Sequence, residues 1–182
     1  MSEKEERDIL EGLLHEGKRE AAFEGLVRTY QERLYWHIRK IVLDHEDADD
    51  VLQNTFLKTW KSLDHFRADS SLFTWLYRIA TNEALTFLKQ KKRRSFISWG
   101  DEEEKMGEAL SSDPWFDGDE LQLKLQKAIA RLPDKQRLVF QMKYFDDMKY
   151  EEMSEILGTS VGALKASYHH AVKKIESTLK DN

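Results

Sequence analysis

The sequence contains no cysteine, only two prolines and only eight glycines among its 182 residues. Without cysteine the chain forms neither a disulfide nor a thiolate metal site, and this composition is compatible with a reducing cytoplasm. Stretches in which Val, Ile or Thr alternate with polar residues are also scarce, so the sequence gives little support for β-strands. We therefore expect a nearly all-helical protein.

Long apolar runs are missing as well, and the N-terminal segment 2–8 is highly charged. We therefore expect neither a signal peptide nor a transmembrane helix, but a soluble, cytoplasmic protein that does not insert into membranes. Apolar residues make up 40% of the chain and charged residues 35%, which is enough for a real core and unlike a disordered protein. Two small helical domains fit this composition best.

The formal net charge of −5 argues by itself against a nucleic-acid partner. The distribution of charge matters more than this sum. Basic residues cluster at 89–94 and at 165–180, whereas acidic residues concentrate at 44–50 and at 101–120. Such segregation indicates several partners, some of them acidic and some basic.

The middle of the chain carries the most informative pattern. Its apolar residues recur at helical spacing and predict one amphipathic helix with Ser70 or Ser71 as the N-cap. These apolar residues are Leu72, Phe73, Leu76, Ile79, Ala80, Ala84, Phe87 and Leu88. On another face of that helix, Trp75, Arg78 and Asn82 fall together at i, i+3 and i+7. An aromatic ring, a guanidinium and a carboxamide suit an unstacked base and its phosphate, so we expect a nucleic-acid surface there.

Three helices are predicted before this stretch: a short one that ends near Gly17, a long one over residues 21–42, and a third that begins in the acidic segment 44–50. The buried stripe of the third helix is predicted to be Leu52, Phe56, Trp60 and Leu63. Its polar residues Asp50, Gln53 and Asn54 project together from another face. That face is either a solvated helix start or a docking surface for a basic partner.

Residues 95–118 are rich in acidic side chains, show no sustained periodicity and are typical of a flexible linker. Within this segment, Trp99, Trp115 and Phe116 are expected to dock either on a domain or on a partner. The chain is thus predicted to consist of a domain at 1–94, the acidic linker at 95–118 and a second domain at 119–182.

The second domain contains the turn Gly158-Thr159-Ser160 between two amphipathic segments. Glycine permits a left-handed C-cap, and Thr159 or Ser160 can cap the helix that follows. This is the arrangement of a helix-turn-helix, whose second helix is available for the major groove of duplex DNA. The outward face of that helix carries small residues for close approach and lysines for phosphates. Any two amphipathic helices joined by a glycine turn would look similar, so the motif alone does not decide the function.

Three segments, in the correct order, resemble one family. The promoter-melting segment of bacterial sigma factors of the extracytoplasmic-function (ECF) group is very similar to Phe66-Arg67-x-x-Ser70-Ser71-x-x-Thr74-Trp75-Leu76-Tyr77-Arg78-Ile79-Ala80-x-Asn82. The polymerase-docking segment of that family resembles Asp47-Ala48-x-Asp50-x-x-Gln53-x-x-Phe56-x-x-x-Trp60. Its C-terminal promoter-binding domain resembles Leu132-Pro133-x-x-x-Arg137, followed by Glu152-x-x-x-Ile156-Leu157-Gly158-x-Ser160-x-Gly162-x-x-Lys165.

The resemblance implies a sigma factor that binds core RNA polymerase, recognises the −10 and −35 promoter elements and assists strand separation. It implies no enzymatic activity, no cofactor, no metal and no small-molecule substrate. The largest polymerase subunit would contact Asp50, Gln53, Asn54, Phe56 and Trp60. The second-largest subunit would bind the C-terminal domain, and an anti-sigma factor is a further expected partner.

The same resemblance implies two sets of DNA-binding residues. The −10 set is Phe66, Arg67, Ser70, Ser71, Thr74, Trp75, Arg78, Asn82, Lys89, Lys91, Lys92, Arg93 and Arg94. The −35 set is Thr159, Ser160, Gly162, Ala163, Lys165, Ala166, His169, His170 and Lys173. Two departures from the family pattern concern base preference: residues 84–86 lack the usual charges, and Ser167, His170 and Val172 stand where arginines are common. Fewer cations predict a shallower salt dependence.

Three alternative functions fit parts of the sequence. A stand-alone helix-turn-helix regulator of duplex DNA would use residues 119–182 but would leave the Trp75 face without a role. A metal-dependent enzyme would use His37, Asp44, His45 and Glu46, with the pair His169-His170; however, residues 44–46 are consecutive and diverge on a helix, and no paired-ligand spacing is present. A purely helical adaptor fits the composition but not the base-reading face.

Overall fold

The computed structural model describes residues 3–66, 70–94 and 120–180, and within these ranges all regular structure is helical. The prediction of an all-α protein is confirmed. The chain divides into two compact units, Met1–Phe87 and Leu88–Asn182. The predicted linker at 95–118, with Trp99, Trp115 and Phe116, lies outside the described residues.

The first unit is built from α1 (Glu3–Leu14), α2 (Arg19–Val42), α3 (His45–Ser62) and most of α4 (Leu72–Arg94). Short 3-10 turns at Glu16–Lys18 and Leu63–His65 lie between these helices. The third helix begins in the acidic segment, as predicted, and the Asp44 carboxylate caps it by accepting a hydrogen bond of 3.0 Å from the Asp47 N–H. Ser71, the second of the two predicted candidates, caps α4: its Oγ accepts from the Thr74 N–H at 3.1 Å.

Close packing of α1 on α2 depends on a glycine. A Cβ placed on Gly12 would lie 2.6 Å from the Cβ of Ala22, so no larger residue fits without moving one of the helices. Arg19, at the start of α2, links the end of α1 to the turn that follows α3. Its Nε donates to the Leu13 carbonyl at 3.2 Å, and its Nη1 donates to the Asp64 carboxylate at 2.8 Å. The first helix is thereby fixed to the rest of the unit.

The buried face of α3 differs from the predicted one. The interior residues are Ala48, Val51, Thr55 and Thr59, whereas Leu52 and Phe56 are half-buried and Trp60 is exposed. The two threonine hydroxyls donate to the carbonyl oxygens of Val51 and Thr55, at 2.7 and 2.8 Å, so burying them leaves no polar group unsatisfied. Of the predicted stripe only Leu63, which follows the helix, is fully buried.

A buried polar pair holds α4 against α2. The His37 ring nitrogen Nε2 lies 2.9 Å from Thr81 Oγ1, and the His37 ring centroid lies 4.7 Å from that of Tyr77. On the surface, an ion pair between Lys58 and Glu83 joins α3 to α4. Contacts with α2 and with α3 therefore fix how α4 is rotated about its axis, and hence which of its residues face outward.

The second unit contains α5 (Glu120–Ala130), α6 (Asp134–Tyr144), α7 (Tyr150–Leu157) and α8 (Val161–Lys180). Its core is a cluster of Ala128, Ile129, Leu132, Phe140, Ala171 and Ile175. Pro133 precedes α6 as its N-cap residue. The buried Arg137 guanidinium donates to the Ala130 carbonyl at 3.3 Å and to Asp134 at 3.0 Å, which ties the start of α6 to the end of α5.

The turn between α7 and α8 has the predicted geometry. Gly158 is left-handed, with φ of 61°, and its N–H donates to the Ser154 carbonyl. Ser160 caps α8 by accepting a hydrogen bond of 3.3 Å from the Ala163 N–H. Helices α7 and α8 therefore form a helix-turn-helix.

Candidate DNA and polymerase interfaces

The nine residues predicted to bind the −35 element lie in the turn before α8 and on the outward face of that helix, and all nine are exposed. We refer to this set as the −35 face: Thr159, Ser160, Gly162, Ala163, Lys165, Ala166, His169, His170 and Lys173. The opposite side of the helix is anchored by the buried residues Leu164, Ala171 and Ile175. Small side chains near the start of the helix allow its backbone to approach a groove, and the lysines lie where phosphates would be met.

The outward face of α4 is formed by Trp75, Arg78 and Asn82, which we call the −10 face. Arg78 and Asn82 are exposed, whereas Trp75 is half-buried. The Trp75 ring packs on Phe66, with 4.3 Å between the ring centroids and 32° between the planes. The −10 face therefore combines a tryptophan ring that packs on Phe66 with two polar side chains that are exposed to solvent.

Two residues of the predicted −10 set lie in the interior. Phe66 is 8% exposed and Thr74 is 4% exposed in the chain without DNA. The Phe66 ring packs against the Trp75 ring, and the Thr74 hydroxyl accepts a hydrogen bond of 2.9 Å from the capping Ser71 hydroxyl. Direct contact of these two side chains with DNA stays a prediction.

The remaining residues of the −10 set are placed as follows. Ser70 is half-buried and Ser71 is exposed at the start of α4. The basic run continues α4 to its end, with exposed Lys89, Lys91, Lys92 and Arg93. Arg67 and the side chain of Arg94 lie outside the described part of the structure.

The outward face of α3 presents both polar and large apolar residues. Asp50, Gln53 and Asn54 are exposed there, as predicted, together with Leu57 at 58% and Trp60 at 39% exposure. We call these five residues the docking face. Leu57 was missed by the sequence analysis, although its position three and four residues after Asn54 and Gln53 places it on the same side of the helix.

A groove of about 420 Å³ adjoins the docking face at Trp60. It is lined by the apolar residues Phe23, Val27 and Trp60 and by Glu20 and Glu24, of which Glu24 is ion-paired with Arg28. The Trp60 and Phe23 rings are 5.0 Å apart between centroids in an edge-on arrangement, while Phe56 is half-buried beside them, 6.4 Å from Phe23. A mainly apolar groove of this kind suits an amphipathic helix.

The residues proposed for a metal-dependent enzyme have other roles. His37 is buried and hydrogen-bonded to Thr81, and Asp44 caps α3. The His45 ring is bonded to the Tyr35 hydroxyl. Within residues 3–66, 70–94 and 120–180, no group of three or more His, Asp and Glu side chains is arranged to hold a metal ion.

Comparison with known proteins matches both units to one family. Residues 26–94 match the family described as Sigma-70 region 2, and residues 122–175 match Sigma-70, region 4. The ECF RNA polymerase sigma-E factor of Escherichia coli is 32% identical, over 97% of this chain and 96% of that protein. The RNA polymerase sigma-H factor of Pseudomonas aeruginosa is 30% identical, over 98% of this chain and 96% of that protein.

The chain belongs to the ECF sigma factors. It is a specificity subunit that binds core RNA polymerase and directs promoter-specific initiation by recognising the −10 and −35 elements and assisting strand separation. Sigma factors are non-enzymatic initiation factors. Of the helices in the described ranges, none is both long and apolar enough to cross a membrane.

Two solved structures share the fold of this sigma factor. One is that of CnrH in complex with the cytosolic domain of CnrY, with a TM-score of 0.70 and 22% identity over 98% of this chain and 99% of that one. The other is the sigma factor RpoE in complex with the anti-sigma factor NepR from Bartonella quintana, with a TM-score of 0.69 and 22% identity over 87% of this chain and 96% of that one.

Proposed function

We propose that this sigma factor divides its task among three surfaces. The docking face of α3 binds the largest subunit of core polymerase, the −10 face of α4 captures an unstacked base, and the −35 face of α8 reads duplex DNA. The observation that carries the proposal is chemical: each face exposes the side chains that its partner requires, while the opposite side of the same helix is packed. The protein itself catalyses no reaction and acts in the cytoplasm.

The docking face suits a protein partner. Trp60 is of a residue type that often dominates the free energy of protein association, and Leu57 adds exposed apolar area beside it. Asp50 on the same face, and Glu20 at the adjoining groove, favour a partner with basic side chains, whereas Glu24 is ion-paired with Arg28 at 2.8 Å. A coiled coil of the polymerase with apolar and basic residues on one side fits this combination. Phe56, which is half-buried, supports the surface from within.

The −10 face suits a single unpaired base. Flipping a base out of the duplex costs a few kcal/mol, which stacking on an aromatic ring offsets by about 1–3 kcal/mol per base. Trp75 is held for stacking by Phe66, and Arg78 and Asn82 extend beside it for the phosphate and the base edge. The exposed Lys89, Lys91, Lys92 and Arg93 then follow the backbone of the adjoining DNA.

Two further partners belong to the proposal. The second unit also docks on the second-largest polymerase subunit, which holds the −35 face over its element. An anti-sigma factor sequesters the protein, and the two structural relatives bound to CnrY and to the anti-sigma factor NepR support this expectation.

Site-specific photo-cross-linking tests the three assignments together. A photoreactive phenylalanine analogue is placed at Leu57, Asn82 or Ala166 in the full chain, and holoenzyme is assembled on a promoter that the wild-type holoenzyme has selected from randomised duplexes. We expect position 57 to cross-link to the largest subunit, position 82 to the melted strand and position 166 to the upstream duplex. The exposed Glu11 on α1 is the control and should cross-link to none of them. Cross-links from position 57 to DNA, or from position 166 only to protein, would contradict the proposal.

A further inference from the structure

Tyr150, the first residue of α7, lies at the meeting point of three helices. The Nζ of Lys165, from the −35 face, is 5.6 Å from the centroid of its ring. The Nζ of Lys143, from the end of α6, is 5.7 Å from the same centroid. The ring of Tyr168 approaches edge-on, with 6.5 Å between centroids and 76° between the planes. One aromatic ring thus contacts cations from both α6 and α8.

The position of the Tyr150 ring is fixed by neighbours that are themselves held. Lys143 Nζ donates hydrogen bonds to the Met148 carbonyl at 3.1 Å and to Asp147 at 3.3 Å, so its ammonium is tethered to the turn before α7. Tyr168 stacks on the buried Phe140, with 5.7 Å between the centroids and 13° between the planes. The ring is therefore placed by the core of the unit and by the turn.

Lys165 is different, because it is an exposed side chain on a flexible four-carbon stem. Binding to a phosphate requires it to give up most of its rotamers. A cation–π contact at an exposed site shifts such a population by about two- to fivefold. The contact with Tyr150 thus selects a subset of Lys165 rotamers before DNA arrives.

We propose that Tyr150 is a positioning residue of the −35 interface, which presents the Lys165 ammonium to the DNA backbone from a preformed rotamer. The proposal rests on the assignment of the α8 face to the −35 element. Tyr150 acts through its ring, because the quadrupole of the ring, and not the hydroxyl, attracts the cation.

The test is a double-mutant cycle in the assembled holoenzyme. Tyr150→Leu and Tyr150→Phe are made both in the natural chain and in Lys165→Ala, and affinity for a promoter selected by the wild-type holoenzyme is measured over a range of salt concentrations. We expect Tyr150→Leu to weaken binding by about two- to fivefold when Lys165 is present and to have no further effect on Lys165→Ala. Tyr150→Phe, which keeps the ring, should cause no further change of affinity in either background.

The salt dependence separates positioning from charge. Lys165→Ala should lower the slope of log affinity against log salt by about 0.9, because one phosphate contact is lost. Tyr150→Leu should leave that slope unchanged, since the charge is still present and still reaches the phosphate.

Three outcomes would overturn the proposal. An equal loss from Tyr150→Leu in both backgrounds would mean that Tyr150 contacts DNA itself or only supports the fold, which a parallel thermal melt detects. No loss in either background would mean that the ring contact does not act in binding. If Lys165→Ala alone left promoter affinity unchanged, both this proposal and the assignment of α8 would fail, whereas the first two outcomes leave that assignment intact.

Discussion

Helices α3 and α8 are both amphipathic, but they present opposite chemistry to solvent. The outward face of α3 exposes the large apolar residues Leu57 and Trp60 beside the acidic Asp50. The outward face of α8 exposes small residues and cations, with Ala166 next to Lys165. Large apolar side chains gain free energy by burial against another protein, whereas small ones let a backbone enter a DNA groove and cations bind its phosphates. This difference is the basis of our proposal that α3 binds a protein and α8 binds duplex DNA.

The outward face of α4 differs from both. Its aromatic residue Trp75 is half-buried against Phe66, so it offers one surface of a ring that is already positioned. A ring held in this way is suited to stacking with a base that has left the duplex. Substitutions on the three faces should therefore affect different steps of initiation.

Replacing Leu57 by Asp should lower the affinity for core polymerase by roughly thirtyfold, because burying an unpaired carboxylate in an apolar contact costs about 2 kcal/mol or more. The change should not unfold the chain, since Leu57 is 58% exposed. The matched control is Leu14→Asp, which makes the same substitution at a 52% exposed leucine on α1. Competition binding to core enzyme measures both, and equal losses would show that α3 is not a distinct docking surface.

Asn82→Ala should slow open-complex formation by about tenfold, as expected for the loss of one base or phosphate hydrogen bond, without changing core binding. Asn82 is a cleaner test than Trp75, because Trp75→Ala would also remove packing against Phe66. The control is Gln31→Ala, which removes an exposed carboxamide from α2. Permanganate reactivity of the melted strand measures the rate. A variant that melts promoters at the natural rate would remove Asn82 from the −10 face.

Lys173→Ala should weaken promoter affinity a few-fold and lower the slope of log affinity against log salt by about 0.9. The control for a general loss of positive charge is Lys135→Ala, at an exposed lysine on α6. Filter binding of holoenzyme at several salt concentrations gives both slopes. If the two variants had the same slope, long-range charge and not the α8 face would account for the attraction to DNA.

The smallest effect is expected for Tyr30→Phe, which changes the interior and leaves all three faces as they are. The Tyr30 hydroxyl is buried and makes no hydrogen bond to any residue that the structure describes, so its removal should alter the free energy of unfolding by less than about 1 kcal/mol near neutral pH. Core and promoter affinities should stay the same. A change in either one would mean that the interior, and not the exposed faces, controls binding.

Alkaline pH provides a second measurement on Tyr30→Phe. Burial raises the pKa of Tyr30 above its ordinary value, so the folded state retains a proton that the unfolded state loses above about pH 10. The unfolded state then binds fewer protons, and stability falls as the pH rises. Chemical unfolding at pH 9 and pH 11 should therefore show a smaller loss for Tyr30→Phe than for the natural chain. An identical loss would show that other groups account for the alkaline sensitivity.

The sequence predicted α8 correctly because its pattern is regular. Small residues and cations alternate with Leu164, Ala171 and Ile175 at helical spacing, and the Gly158 turn fixes where the helix begins. Periodicity is enough when the buried residues are also the apolar ones.

The sequence failed on α3 for a physical reason. Thr55 and Thr59 are interior residues because their hydroxyls bond to backbone carbonyls of the same helix, and a hydrophobicity pattern treats them as surface residues. The prediction instead assigned Phe56 and Trp60 to the core because they are large and apolar, although Trp60 is exposed. The role of Gly12 was equally hidden, because only the structure shows that Ala22 lies against it.

Run-off transcription with purified core polymerase is the decisive test of promoter-directed initiation by this chain. The template carries a promoter that the assembled holoenzyme has selected from randomised duplexes, and the binding of the isolated chain to the same duplex is measured in parallel. We expect a discrete transcript that requires both core enzyme and this chain, together with weak binding of the isolated chain. Tight duplex binding without polymerase, and no transcript with it, would contradict this expectation and favour a stand-alone helix-turn-helix regulator.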